Sequence, residues 1–336
     1  MLTVTFLGTG AACPTVDRNV SSLAIHREGE MLLFDCGEGT QRQMMRYGAG
    51  FTFREVFFTH YHSDHILGIV GLVRTLGLQD RQEPMILYGP RGAKRILGGL
   101  LSVGVERTKF PLEIVEVAPG DRLQRKEYDI AVFPTDHRTD TVGYALVEHD
   151  RLGRFDPDRA RELGIPEGPL WGKIHKGESV TLADGRRVEP AELVGPTRPG
   201  RTVVYSGDTR PIPGVIEVAR GADLLIHEAT FGDDETERAA ETGHATARQA
   251  AQVARDAGVR DLVLTHISAR YTREAPDLLA EAQVVFPSTR IARDGMVVEV
   301  RFADARTPPP PPPRPAARGG GWAPGGPAPG GAGPGG

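Results

Sequence analysis

The sequence of 336 residues has only two cysteines, Cys13 and Cys36, each beside a glycine- or proline-rich turn. A disulfide framework is therefore excluded as the source of stability, and two free thiols suit an intracellular chain of this size. Nowhere do 18 apolar residues occur together, so no membrane span and no membrane partner are expected. The start, Met1-Leu2-Thr3-Val4-Thr5-Phe6, lacks a basic region followed by an apolar run, which predicts a cytoplasmic protein. Basic excess is missing as well: 40 Lys and Arg face 44 Asp and Glu, a formal net charge of −4. Nucleic-acid binders usually carry a basic footprint over the whole domain, so any such contact here must use a local patch. With 39% hydrophobic and 25% charged residues, the chain has the composition of an ordinary soluble globular protein with a sizeable core.

The composition changes near the C-terminus. Residues 308–336 hold 11 prolines and 10 glycines. Such a segment buries too little apolar surface to offset its ordering entropy, and we expect a disordered tail over 304–336. The remainder, 1–303, is long enough for one large domain with an insertion. Along it, short apolar runs at residues 3–7, 31–34, 56–58, 85–88, 130–133, 203–205, 224–226 and 262–264 end in Gly, Asp, Pro or His. Helix-like segments lie near 66–76, 91–101 and 247–257, and the interleaving predicts a layered α/β protein.

Ligand-type side chains gather where those runs end. Val56-Phe57-Phe58-Thr59 leads into His60-Tyr61-His62-Ser63-Asp64-His65, an HxHxDH pattern. The later runs lead to Asp136-His137, to Asp208, to His227-Glu228 and to His266. Rigid strands emerging from one sheet edge can bring such groups to one point, and a buried convergence of carboxylates and imidazoles needs a cation. The His and Asp donors suit zinc, with manganese and iron as alternatives. A lone His137 or His266 at a strand end is more often a hydrogen-bonding residue than a ligand, and Asp208 by itself reads as a turn residue in Ser206-Gly207-Asp208-Thr209. Three histidines and an aspartate within six residues have no structural purpose we can assign, and once HxHxDH is read as a metal site the others become candidate ligands.

The pattern resembles the metallo-β-lactamase superfamily, which implies a four-layer α/β/β/α sandwich with a dinuclear site at one edge of its two sheets. Position by position, the resemblance implies two Zn2+ per chain: one held by His60, His62 and His137, the other by Asp64, His65 and His266, with Asp208 bridging them. Two metals about 3.5–4 Å apart activate water and clamp the oxygens of an in-line displacement. One fold serves many reactions, so thioesters, lactams and phosphodiesters all remain open at this level.

Three further features resemble the ribonuclease Z family. His227-Glu228-Ala229-Thr230 and His244-Ala245-Thr246 are similar to its HEAT and HxT motifs, which implies that Glu228 orients and polarises His244 and that His244 protonates a departing ribose 3′ oxygen. Thr246-Ala247-Arg248-Gln249 also reads as a capping box opening an Ala-rich helix, which accounts for Thr246 without catalysis. Between His149 and Leu193 lies a stretch with no place in a minimal sandwich, similar to the family's protruding exosite arm that grips the elbow of transfer RNA. We place that arm at about 150–193. Within it Gly168, Pro169, Leu170, Trp171, Lys173 and Lys176 are the candidate RNA contacts, although residues 151–200 carry nine Arg or Lys against eight Asp or Glu and would otherwise read as a surface loop. The opening Phe6-Leu7-Gly8-Thr9-Gly10 and the loop around Arg18-Asn19 resemble the family's glycine-rich start and its arginine–asparagine loop near the acceptor stem, making Arg18 and Asn19 further candidates. Many members carry Ser-Lys where this chain has Thr15-Val16.

The resemblance thus implies an endoribonuclease that cuts precursor transfer RNA after the discriminator base, with Asp64 orienting the attacking water or accepting its proton and His244 as the acid. It also implies a homodimer in which one subunit's arm holds the RNA cut by the other, with no DNA substrate. A thioesterase or a small-molecule phosphodiesterase would keep the metals but have no use for the arm. A silent RNA-binding scaffold would have no use for the full ligand set, and a dinuclear iron oxidoreductase of this fold usually has Glu where His62 stands.

Overall fold

The computed structural model describes residues 1–303 apart from 106 and 272. The expected tail, 304–336, lies outside the described residues. Two seven-stranded sheets pack face to face. The first runs Val297–Glu299, Leu2–Gly8, Ser22–Arg27, Glu30–Phe34, Glu55–Phe57, Met85–Gly89, Leu112–Glu116; the second runs Thr289–Ile291, Asp261–Thr265, Leu224–Glu228, Thr202–Tyr205, Val142–Glu148, Tyr128–Pro134, Arg122–Gln124. In each sheet three antiparallel pairings give way to three parallel ones, at Glu30–Phe34 in the first and at Thr202–Tyr205 in the second.

Three apolar layers hold the sandwich. Phe6, Phe34, Phe57, Tyr144, Ile226 and Val263 fill the space between the sheets. The outer face of the first sheet is covered by helices Thr40–Tyr47, Gly68–Leu78 and Ala93–Leu101, and that of the second by Pro213–Val218, Ala247–Ala257 and Pro276–Val285. This is the four-layer α/β/β/α arrangement that the resemblance implies. Every apolar run read from the sequence forms a strand. Ser22–Arg27 and Val142–Glu148 were not legible there, because Ser, His, Glu and Gly interrupt a pattern that only pairing on both sides buries. Helix Ala247–Ala257 starts at the expected capping box: Thr246 Oγ1 accepts from Gln249 N at 3.2 Å, and Gln249 Oε1 accepts from Thr246 N at 2.9 Å.

Residues 151–198 stand apart from both sheets. They form helices Pro157–Glu162 and Pro169–His175 and a short hairpin, Val180–Thr181 with Arg187–Val188. A small core of their own, Ala160, Ile165, Ile174, Val180, Val188 and Leu193, holds them together. Among the described residues no helix is long and apolar enough to cross a membrane.

Candidate metal centre

Strands that run in the same direction release their side chains at carboxyl ends that share one edge of the sheet, whether or not they are neighbours. His60 follows Glu55–Phe57, His137 follows Tyr128–Pro134, Asp208 follows Thr202–Tyr205, Glu228 ends Leu224–Glu228, and His266 follows Asp261–Thr265. Their ligand atoms converge. His60, His62, His137 and Asp208 form one group and Asp64, His65 and His266 another, and Asp208 also groups with His244 and His266.

The spacing matches that of metal ligands. Tetrahedral zinc with bonds of about 2.0–2.1 Å sets its ligand atoms about 3.3–3.4 Å apart. In the first group Nδ1 of His62 lies 3.0 Å from Nε2 of His60 and 3.2 Å from Nε2 of His137. In the second, Oδ2 of Asp64 lies 3.3 Å from Nε2 of His266 and 3.6 Å from Nε2 of His65. Oδ2 of Asp208 lies between the groups, 3.6 Å from His60, 3.4 Å from His65 and 3.3 Å from His266. Buried Nε2 of His65 has no hydrogen-bond partner among the described residues, an arrangement that leaves its lone pair for a metal.

Hydrogen bonds behind the ligands fix their tautomers. Nδ1 of His60 is held at 3.0 Å by Thr59 Oγ1, that of His137 at 2.7 Å by the Gly243 carbonyl, that of His65 at 2.9 Å by Asp35, and that of His266 at 2.8 Å by Thr230 Oγ1. Each contact occupies Nδ1 and turns Nε2 inward. Gly243 must be glycine: its φ is 82°, and a Cβ there would stand 2.9 Å from His137 Nδ1. Asp35, with no solvent exposure, accepts from Thr59 N at 2.8 Å and from the Tyr205 hydroxyl at 2.8 Å besides His65. Three residues at the site, Ala12, Asp35 and His266, hold positive φ without being glycine, and such backbone cost concentrates where geometry serves function.

Electrostatics favour ligands ready to bind. Burial, then repulsion from His65, lowers the pKa of His60 far below the usual histidine value, and burial lowers those of His62 and His137. Burial alone would raise Asp64 and Asp208; His65 acts first on Asp64 and His266 first on Asp208, and these neighbours pull both carboxyls down. At His65 burial opposes charge, but Asp208, Asp35 and Asp64 override it, so this point of the site favours a positive charge. Three imidazoles stay neutral and two carboxylates stay ionised, which is the protonation state that metal binding requires.

Beside this cluster Glu228 and His244 form a hydrogen-bonded pair. Nδ1 of His244 lies 2.8 Å from Oε1 of Glu228 and 4.0 Å from Oδ2 of Asp208. Burial would lower the pKa of His244, but the Glu228 carboxylate overrides it and pushes it up to about 9. The other Glu228 oxygen, Oε2, accepts from Thr230 Oγ1 at 2.8 Å and from Thr230 N at 3.1 Å. His227 turns away from this cluster: it is buried, with Nδ1 2.7 Å from the Glu228 carbonyl.

The RNA contacts expected from the sequence fare differently. Arg18 is only 3% exposed, and its guanidinium donates to Thr9 Oγ1 and to the carbonyls of Ala292 and Arg273, so it ties its loop to the body. Asn19 is half-buried and donates its side-chain amide to the Glu38 carbonyl at 2.8 Å. Within residues 151–198, Gly168 precedes helix Pro169–His175, while Leu170 and Trp171 pack on that segment's small core. Trp171 Nε1 donates to the Ile165 carbonyl at 3.2 Å, and its ring meets Phe155 at 5.2 Å. Lys173 and Lys176 are exposed. Sequence reasoning missed Asp35, Tyr205 and the double role of Thr230. Only Asp35 left a trace, as the acid ending the apolar run 31–34.

Two families match parts of the chain: "Anti-Pycsar protein Apyc1" over residues 2–154 and "Beta-lactamase superfamily domain" over 173–267. Ribonuclease Z of Gemmatimonas aurantiaca is 58% identical over 311 residues, 91% of this chain and 99% of that protein. Ribonuclease Z of Myxococcus xanthus is 54% identical over 305 residues, 90% of this chain and 99% of its own length. Among solved structures, the short form of human tRNase Z superposes with a TM-score of 0.66 at 27% identity, covering 89% of this chain and all of that one.

Proposed function

Because the chain belongs to the ribonuclease Z family, a family of hydrolytic endoribonucleases with the metallo-β-lactamase fold, we propose that it matures transfer RNA by cutting the precursor on the 3′ side of the discriminator base. The cut leaves a 3′ hydroxyl on the transfer RNA and a 5′ phosphate on the trailer. His60, His62 and His137 would hold one zinc ion, Asp64, His65 and His266 a second, with Asp208 between them. Zinc at these positions supplies Lewis acidity and a lowered water pKa when bound. Asp64, steadied by the Ala12 N–H at 2.8 Å, orients the attacking water or accepts its proton. As the bond from phosphorus to O3′ breaks, His244 gives its proton to that oxygen and Glu228 stabilises the imidazolium.

The observation that carries this reading is the Glu228–His244 pair beside the ligand cluster. A thiolate leaves without help, whereas a ribose alkoxide needs a donor, and a histidine held protonated 4.0 Å from Asp208 is placed to be one. Residues of about 150–193 would form the exosite arm, with Lys173 and Lys176 meeting phosphates. A homodimer in the cytoplasm, one subunit's arm serving the other's site and no DNA being cut, completes the proposal. Metal-loaded protein is tested on end-labelled precursor transfer RNA, on a small phosphodiester and on a thioester. Cleavage at the discriminator with a 3′ hydroxyl is expected; turnover of the thioester alone would overturn the proposal.

A further inference from the structure

The arm joins the body through two passages of chain, 148–151 going out and 198–201 returning. Arg151 and Arg198 exchange both backbone hydrogen bonds, at 2.8 and 2.9 Å, and Glu148 N donates to the Arg201 carbonyl at 2.9 Å. Just beyond, Gly153 and Gly195 cross so closely that a Cβ on Gly153 would stand 1.8 Å from the Gly195 oxygen. This neck is two chains wide, so something else must set the direction in which the arm points.

The neck is crowded with positive charge. Arg151, Arg198 and Arg201 occur within it, and Glu148, which binds Arg201 through two oxygens at 2.7 and 2.8 Å, also pairs with Arg27 at 2.8 Å. Arg151 Nε is buried and has no hydrogen-bond partner among the described residues. What meets these groups is Phe302. Its ring centroid lies 3.3 Å from the Arg151 guanidinium carbon and 3.9 Å from that of Arg201. Two guanidinium groups this close to one centroid cannot share a face without overlapping, so the ring is held between them. Each face of an aromatic ring attracts a cation, and the planar guanidinium adds stacking.

Phe302 is itself anchored in the catalytic body. The residues before it form the edge strand Val297–Glu299 beside Leu2–Gly8. Val300 N donates to the Leu2 carbonyl at 2.9 Å, the Val300 carbonyl accepts from Arg201 at 3.1 Å, and the Arg301 carbonyl accepts from Arg260 at 2.7 Å. Phe302 follows these fixed points and is 37% exposed, too open to be explained as core filling.

We infer that Phe302 is a positioning residue for the reaction: held between Arg151 on the outgoing chain and Arg201 on the returning chain, it clamps the neck to the first sheet and fixes the arm's direction relative to the metal centre. The inference rests on the reading of this segment as the arm that holds a large RNA. Remote contacts raise rate only if they place the substrate, so a freely swinging arm would keep its affinity for RNA but lose productive placement. A small diester does not reach the arm and is indifferent to the clamp.

The test uses the full chain with Phe302→Ala, Phe302→Leu and Phe302→Tyr, beside a protein lacking residues 151–190. Steady-state kinetics are measured on precursor transfer RNA and on a small phosphodiester. Spin labels on native Cys13, which is exposed, and on Glu178→Cys in the arm report the distribution of their separation. Loss of two cation–π contacts should cost about tenfold or more in kcat/KM on the precursor for Ala and Leu, with the small diester unchanged and the label separation broadened. Tyr should restore both. If Ala and Leu leave precursor kinetics and the distribution unchanged while the deletion abolishes precursor cleavage, the clamp is wrong and the arm reading stands. If the deletion leaves precursor cleavage intact, the arm reading fails, and the width of the label distribution still decides whether Phe302 holds the neck.

Discussion

Thr230 Oγ1 lies 2.8 Å from Nδ1 of His266, and the same oxygen lies 2.8 Å from Oε2 of Glu228. One hydroxyl therefore accepts the His266 N–H and donates to the carboxylate that holds His244. His266 and the Glu228–His244 pair share a single support.

Thr230→Val keeps the shape and removes the hydroxyl. It should weaken zinc binding and lower turnover by roughly 10–100-fold, the usual effect of losing a group that orients a metal ligand. Thr230→Ser should recover most of both. Chelator competition gives the affinity and steady-state kinetics the turnover; a Val variant with normal values of each would show that the hydrogen bond has no role.

The ligand set predicts two metal ions per chain, since seven side chains exceed the needs of one tetrahedral zinc. Elemental analysis of wild-type protein should find two and of Asp208→Ala fewer, because Asp208 is within 3.6 Å of His60, His65 and His266 alike. Full activity at a stoichiometry of one would contradict the bridging position.

His244→Ala should keep its metals and its affinity for RNA but lose roughly 10²–10⁴-fold in turnover, the range expected for a general acid. A nitrophenyl phosphodiester, whose leaving group needs no proton, should suffer far less. Equal losses on the two substrates would remove His244 from the role of donor.

Glu228→Gln tests the same pair through pH. An acid is active while protonated, so activity falls as pH rises through its pKa, and Glu228 is what lifts that of His244 above the usual value. Without the carboxylate's charge the alkaline limb of kcat should move to lower pH. An unmoved limb, in protein with normal metal content, would assign the limb to another group.

Much of the site was legible in the residues because its ligands end apolar runs. His60, His137, Asp208, Glu228 and His266 each stand at or just beyond the carboxyl end of a strand, and a strand is recognisable from a few adjacent apolar residues. The same is true of the helix after Thr246, whose cap is made within three residues. These features depend on neighbours in sequence, so the sequence by itself determined them: a layered α/β chain and His, Asp and Glu side chains at its strand ends.

The tertiary structure decided what rests on distant partners. Asp35 joins His65 and Tyr205, the latter 170 positions away, and Asp64 meets His266 across 202. Arg18 became a candidate through its resemblance to the family's arginine–asparagine loop, and nothing local in the sequence showed that packing would bring acceptors on Thr9, Ala292 and Arg273 to its guanidinium. Trp171 was read as a stacking face, and only the fold shows that it packs, partly buried, on the small core of residues 151–198. A side chain's type states which bonds it can make. Which of them it makes depends on what the fold brings within about 3 Å, and for these residues that lay outside the reach of local pattern.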